Sequence, residues 1–107
     1  MTARVTAAEL DETIILQRRV GTRDAYGEVV EAWVTAATIY ARHRTFQARE
    51  GELGPTTVSR VVEMFTIRRR SGVDAAMRIS WRGRTFDVNS VTEIGRRWLE
   101  LRATEAA

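Results

Sequence analysis

The sequence predicts an all-β protein: a small antiparallel β-barrel or sandwich of about six or seven short strands, closed to manage its edges, with a long loop after the third strand. Three observations carry this. Apolar and polar residues alternate with a period of two in segment after segment. Turns containing Gly or Asp separate those segments. Nowhere does an apolar helical period persist beyond about two turns. With 107 residues, 44% apolar and 29% charged, the chain has the composition of one folded domain and would bury roughly 65% of its unfolded surface. The expected division is an N-terminal arm at residues 1–12, a barrel at 13–103 with a projecting loop at 47–57, and a C-terminal tail at 104–107.

In the arm, Thr6-Ala-Ala-Glu9 has the spacing of a capping box, which predicts a short helical turn or a flexible arm with little share in the core. The first strand, residues 13–20, puts Ile14, Leu16 and Val20 on one face and Gln17 and Arg19 on the other, with Arg18 breaking the pattern. Arg23-Asp24-Ala25-Tyr26-Gly27-Glu28 follows. Asp24 and Gly27 there occupy the first and fourth positions of a type I turn. A second strand over 29–34 completes a hairpin. A third over 37–46 turns Ile39, Ala41 and His43 inward and Tyr40, Arg42 and Arg44 outward.

Residues 47–57 hold two Gly, the only Pro and almost no apolar side chain, so they read as a long loop, of the kind that is functional or disordered more often than purely structural. Residues 58–70 form a fourth strand with both faces partly apolar. After a turn at 71–76, Met77, Ile79 and Trp81 alternate with Arg78, Ser80 and Arg82 as a fifth. Gly83 makes a tight turn into a sixth, residues 85–91, with Phe86 and Val88 opposite Asp87 and Asn89. The last hairpin turns at 93–97 and returns with Leu99 and Leu101 buried, and with nothing to hold residues 103–107.

Composition excludes several function classes. The chain has no Cys and one His, too few ligands for a thiolate or transition-metal site, and no disulfide framework. His43 stands between two Arg with no nucleophile motif around it and reads as a hydrogen-bonded barrel residue. The carboxylate pairs Asp11-Glu12 and Glu50 with Glu52 lie in polar segments that keep them solvated rather than poised for acid–base work. No Gly-rich phosphate loop joins a strand to a helix. The expectation is therefore no enzyme, no cofactor and no metal. Residues 1–12 lack an apolar run, and the longest uncharged stretch, 32–41, falls far below the roughly 20 residues that span a bilayer, so no membrane partner is expected.

All 17 basic residues are Arg, against 14 acidic ones, for a net charge of +3. Arg forks suit phosphates and carboxylates, which invites a small oligonucleotide-binding-type barrel as an alternative reading. A GC-rich coding sequence explains the absence of Lys equally well, and the acidic residues are interspersed, whereas a dedicated binder carries a denser basic patch and exposed stacking aromatics.

The ordered set Leu16-Gln17-Arg18-Arg19, then Thr22-Arg23-Asp24-Ala25-Tyr26-Gly27-Glu28 and Trp33, then Ala76-Met77-Arg78-Ile79 with Arg82-Gly83-Arg84 and Phe86, resembles the head-tail adaptor or head-tail joining family of tailed bacteriophages, which includes head completion (stopper) proteins and similar proteins of gene transfer agents. The resemblance runs from about residue 10 to 102. It implies a structural connector at the neck of a virion or phage-like particle, assembled in the bacterial cytoplasm as a homo-oligomeric ring of roughly six or twelve copies. Its neighbours would be a portal or adaptor ring above and a tail terminator or tail tube below, with packaged double-stranded DNA in the channel. By position, the resemblance makes 47–57 the plug, with Arg49, Glu50, Gly51, Glu52, Gly54 and Pro55 as channel residues. The hairpin tip carries charge and a Tyr beyond what a turn requires, so Arg23, Asp24, Tyr26 and Glu28, with outward Arg42 and Arg44, are the expected contacts between subunits or rings.

Overall fold

A computed structural model describes residues 6–50 and 58–106. Six strands form one closed antiparallel barrel: β1 (Glu12–Arg23), β2 (Val29–Glu50), β3 (Val58–Arg68), β4 (Arg78–Trp81), β5 (Arg84–Ile94) and β6 (Trp98–Glu105), in the order β1-β2-β3-β6-β5-β4. Closure rests on a short seam in which Ile15, Leu16 and Gln17 of β1 pair with Ser80, Ile79 and Arg78 of β4. The one helical element among the described residues is a 3-10 turn, Ala7–Glu9, at the expected capping box, although the Thr6 side chain makes no cap bond.

The predicted parities hold in the barrel wall. Ile14, Leu16, Ala41, Phe65, Ile67, Met77, Ile79, Trp81, Phe86, Val88, Leu99, Leu101 and Ala103 make up one buried cluster. Each of the larger aliphatic and aromatic side chains contributes about 1.5–3 kcal/mol by leaving water. The Arg82-Gly83 turn has φ of 50° and 74° at its two central residues, the left-handed pair that a two-residue hairpin needs to follow strand twist. The Arg82 side chain pairs with Glu12, and its guanidinium lies 4.8 Å from the Trp81 ring.

Three expectations are corrected. The second and third predicted strands are one 22-residue strand, β2. The pairing slips at Leu16/Gln17, opposite Ala37 and Thr35, so Ala36 is a bulge that changes the side-chain phase without ending the strand. The long connection consequently follows the second strand, and residues 47–50 belong to β2, paired up to Glu50↔Val58; 51–57 lie outside the described residues. Residues 103–105 are not a loose tail but the end of β6, where Ala103 is fully buried and Glu105 takes a two-pronged bond from Arg84 at 2.7 and 2.8 Å. Trp33 is absent from the buried cluster and lies between two guanidinium groups, Arg19 at 4.9 Å and Arg78 at 4.7 Å from its ring.

The long strand sets the shape. The radius of gyration is 16.2 Å, against about 13 Å for a compact domain of this length. The excess lies at the two ends of β2, where it pairs with a single neighbour and leaves the barrel.

Candidate functional site

The first projection is the outer part of the β1–β2 hairpin. Past the β4 seam, Arg18 to Arg23 of β1 pair only with β2, and Val29 to Val34 pair only with β1, so both edges of this ribbon are open. Its base is tied down by Arg18, whose Nη2 donates to the Gly72 carbonyl at 2.8 Å, and by the Arg19–Trp33–Arg78 stack. Val29 and Val30 farther out, and Val34 at the base, are exposed. A two-stranded ribbon has no buried face, and nothing among the described residues covers these valines.

The tip is more ordered than its exposure implies. One carboxylate oxygen of Asp24 accepts from the Tyr26 and Glu28 amides at 2.9 and 3.0 Å. Backbone bonds run from the Asp24 amide to the Glu28 carbonyl and from the Gly27 amide to the Asp24 carbonyl. Gly27 has φ +81° with open space around its Cα, so it is Gly for backbone reasons. Arg23 Nη1 donates to the Gly27 carbonyl at 3.4 Å. The outcome is a fixed turn that presents Tyr26, 92% exposed, into solvent.

The second projection is the far end of β2 with the start of β3. The β3–β6 ladder begins at Glu63↔Ala103, so residues 58–62 pair only with β2. Phe46 and Val61 on this ribbon are half exposed. At its base Glu63, only 7% exposed, is paired with His43 Nε2 and accepts from Thr45 Oγ1 at 2.9 Å. The His43 ring packs on Trp81 with centroids 4.1 Å apart and on Phe65 at 5.2 Å. His43 is thus a hydrogen-bonded barrel residue as expected. Its partner Glu63 went unnoticed, though parity alone puts it on the inner face between Val61 and Phe65.

The expected contact residues do not form one cluster. Arg23, Asp24, Tyr26 and Glu28 lie together at the tip. Arg44 is exposed on the opposite half of β2. Arg42 is occupied within the chain, its Nη1 donating to Glu9 at 2.7 Å. That bond is the main reason the Glu9 carboxyl sits below its ordinary value of 4.5, and it fastens the 3-10 turn to β2. Arg49 and Glu50 lie in the second ribbon opposite Ser59 and Val58; Gly51, Glu52, Gly54 and Pro55 are outside the described residues. Of the channel candidates, Arg49 and Glu50 therefore close β2 at the end opposite the one that the tip residues precede. Among the described residues no three His, Cys, Asp or Glu side chains lie close enough to hold a metal ion, and no helix is long and apolar enough to cross a membrane.

Among the concavities of the described residues, a cleft of about 360 Å³ opens beside the middle of β2. It is lined by Ala7, Leu10, Thr38, Ile39 and Tyr40 together with Arg68, Arg69 and Arg70. The exposed aromatics Tyr26, Tyr40 and Phe46 fall at the tip, the middle of β2 and the opposite ribbon.

Similar folds occur in three solved structures. A chain of the native gene transfer agent virion aligns with a TM-score of 0.66 at 20% identity, over 91% of this chain and 96% of that one. Protein SF1141 from Shigella flexneri 2a aligns at 0.74 and 23% identity, over 96% and 98%. The phage-like element PBSX protein xkdH from Bacillus subtilis aligns at 0.51 and 11% identity, over 88% and 92%. No curated protein matches the sequence. The phage head completion protein family matches residues 5–106. A barrel whose distinctive features are projecting, unpartnered ribbons, and whose sequence matches that family over almost its whole length, belongs to the phage head completion proteins, structural components of the virion.

Proposed function

We propose that the chain forms a closed homo-oligomeric ring at the neck of a tailed phage or phage-like particle, between a portal or adaptor ring and the tail, where it retains packaged double-stranded DNA and offers the docking surface for the tail. The observation that carries this reading is β2. It is longer than the barrel needs and extends as an open-edged two-stranded ribbon at each end. Such ribbons are marginal alone and exposed strand edges invite pairing, so a chain that keeps two of them is made to be covered by neighbours. Family membership supplies the setting.

In this ring the connection between β2 and β3 is the channel element. Arg49 and Glu50 stand at its approach, Gly51, Gly54 and Pro55 set its hinge and stop, and Glu52 adds an acidic group that repels phosphate. The tip residues Arg23, Asp24, Tyr26 and Glu28, and Arg44 on the other half of β2, face neighbouring subunits or rings. Arg42 acts through Glu9 by holding the N-terminal turn against β2. An oligonucleotide-binding role would need aromatics gathered on one face, and the scatter of Tyr26, Tyr40 and Phe46 supports the connector instead.

Particles made without the chain test the reading. Heads should fill, lose DNA and stay tailless; filled, tailed, infectious particles would overturn it. Deleting residues 51–54 should leave the chain folded and incorporated while DNA escapes from heads. Retention equal to that of the parent would remove the plug role and leave the ring standing. An image of the neck gives the copy number.

A further inference from the structure

We infer that the ring is held together by a tip-in-cleft contact: the β1–β2 turn of one copy, with Tyr26 as its anchor, seats in the Leu10–Tyr40 cleft of the next copy beside Arg68, Arg69 and Arg70. This rests on the ring reading above and names its interface.

The two surfaces are complementary in shape and charge. The cleft is lined by apolar Leu10 and Ile39, the exposed ring of Tyr40 and three consecutive Arg. Two of those guanidinium groups are already engaged, Arg69 with Glu93 at 2.8 Å and Arg68 over the Trp98 ring at 5.6 Å. Arg70 makes no ion pair among the described residues. The tip has the converse pattern. An exposed aromatic ring stands between Asp24 and Glu28, Arg23 is turned onto the Gly27 carbonyl, and the Glu28 carboxylate has no partner among the described residues. A volume of about 360 Å³ lies in the range of small-ligand pockets, about 300–1,000 Å³, so one Tyr ring enters with room to stack on Tyr40. Aromatic anchors of this kind, seated in a pocket and ringed by charge, dominate the energetics of interfaces.

The tip that enters is that of another copy, not the chain's own. The β1–β2 ladder runs unbroken apart from the Ala36 bulge, from Glu12↔Ala41 to Arg23↔Val29. A chain's own tip is thereby held about 30 Å along the strand from its own Thr38. A contact between two different patches of the same molecule is heterologous, the type that generates a ring where the rotation between copies closes.

The chain lacks Cys, which makes the test clean. Particles are assembled with the full-length Tyr26→Cys/Arg70→Cys variant, oxidised, and run without reductant. A ladder rising in steps of one 12.1 kDa chain is the expected result, and monomer alone, from particles that contain the variant, overturns the inference while leaving the ring reading intact. Absence of the parent chain from the particle neck would overturn the ring reading itself. If the double variant does not enter particles, the charge pair decides. Arg70→Glu should cut incorporation by about tenfold or more, and adding Glu28→Arg should restore it; no recovery overturns the inference.

Discussion

His43 and Glu63 meet diagonally across the β2–β3 pair at the point where the second ribbon leaves the barrel, with the imidazole Nε2 against a carboxylate that also accepts from Thr45. Removing the carboxylate strands two donors in a site walled by Phe65 and Trp81. Glu63→Ala should therefore cost about 2–4 kcal/mol, and lower the melting temperature by about 10–20 °C. A double-mutant cycle with His43→Ala should return a coupling of about 1 kcal/mol or more. Additive effects would show that the pair does not act as a unit.

Glu105 gives a pH dependence. Hydrogen bonds from Arg84 hold its carboxyl below the ordinary value of 4.5. A carboxyl whose folded-state pKa is lowered contributes stability that is complete above its unfolded value and is lost as the pH falls through the folded one. The difference in melting temperature between parent and Glu105→Gln should be constant from about pH 7 to 5 and shrink progressively below about pH 4. A difference that persists unchanged in acid would mean that the loss is one of packing at the end of β6 rather than of charge.

Trp33→Ala separates a surface stack from a core residue. Phe65 is fully buried, and Phe65→Ala should cost about 3–5 kcal/mol. Trp33, between Arg19 and Arg78, carries cation–π contacts and partial burial, so the same truncation should cost about 1–2 kcal/mol. Denaturant unfolding of both variants checks this, and equal losses would put Trp33 among the core residues.

The contrast between these two aromatics marks what the sequence can tell. Where a strand has one buried face, parity identifies it, as with Met77, Ile79 and Trp81, or Leu99 and Leu101. Asp24, Gly27 and Gly83 mark turns because their backbone and side-chain chemistry is local. Parity fails at bulges: Ala36 and Asn89 each add a residue to one strand of a pair, which made one strand read as two at Ala36 and shifted the apolar phase from Val88 to Val91. It also fails outside the barrel wall. Residues 47–50 pair in β2 without apolar alternation because a lone ribbon has no interior to require it, and so they read as loop. The Leu10–Tyr40 cleft had no signature at all, being assembled from the N-terminal arm, the middle of β2 and the end of β3.

The tip tests whether order there is local. Asp24→Ala removes the acceptor for the Tyr26 and Glu28 amides but leaves the two backbone bonds of the turn. The ribbon lies outside the cooperative core, so its opening is uncoupled from global unfolding. Amide exchange at Tyr26 and Glu28 should accelerate about tenfold, corresponding to roughly 1.4 kcal/mol of lost protection, while stability stays within about 0.5 kcal/mol of the parent and exchange at Leu101 is unchanged. A fall in global stability would instead show that the ribbon is part of the folding unit. With the core intact and the tip loosened, the same variant should still fold but enter particles less efficiently, because a neighbour must then order Tyr26 at the moment of contact rather than receive it already positioned.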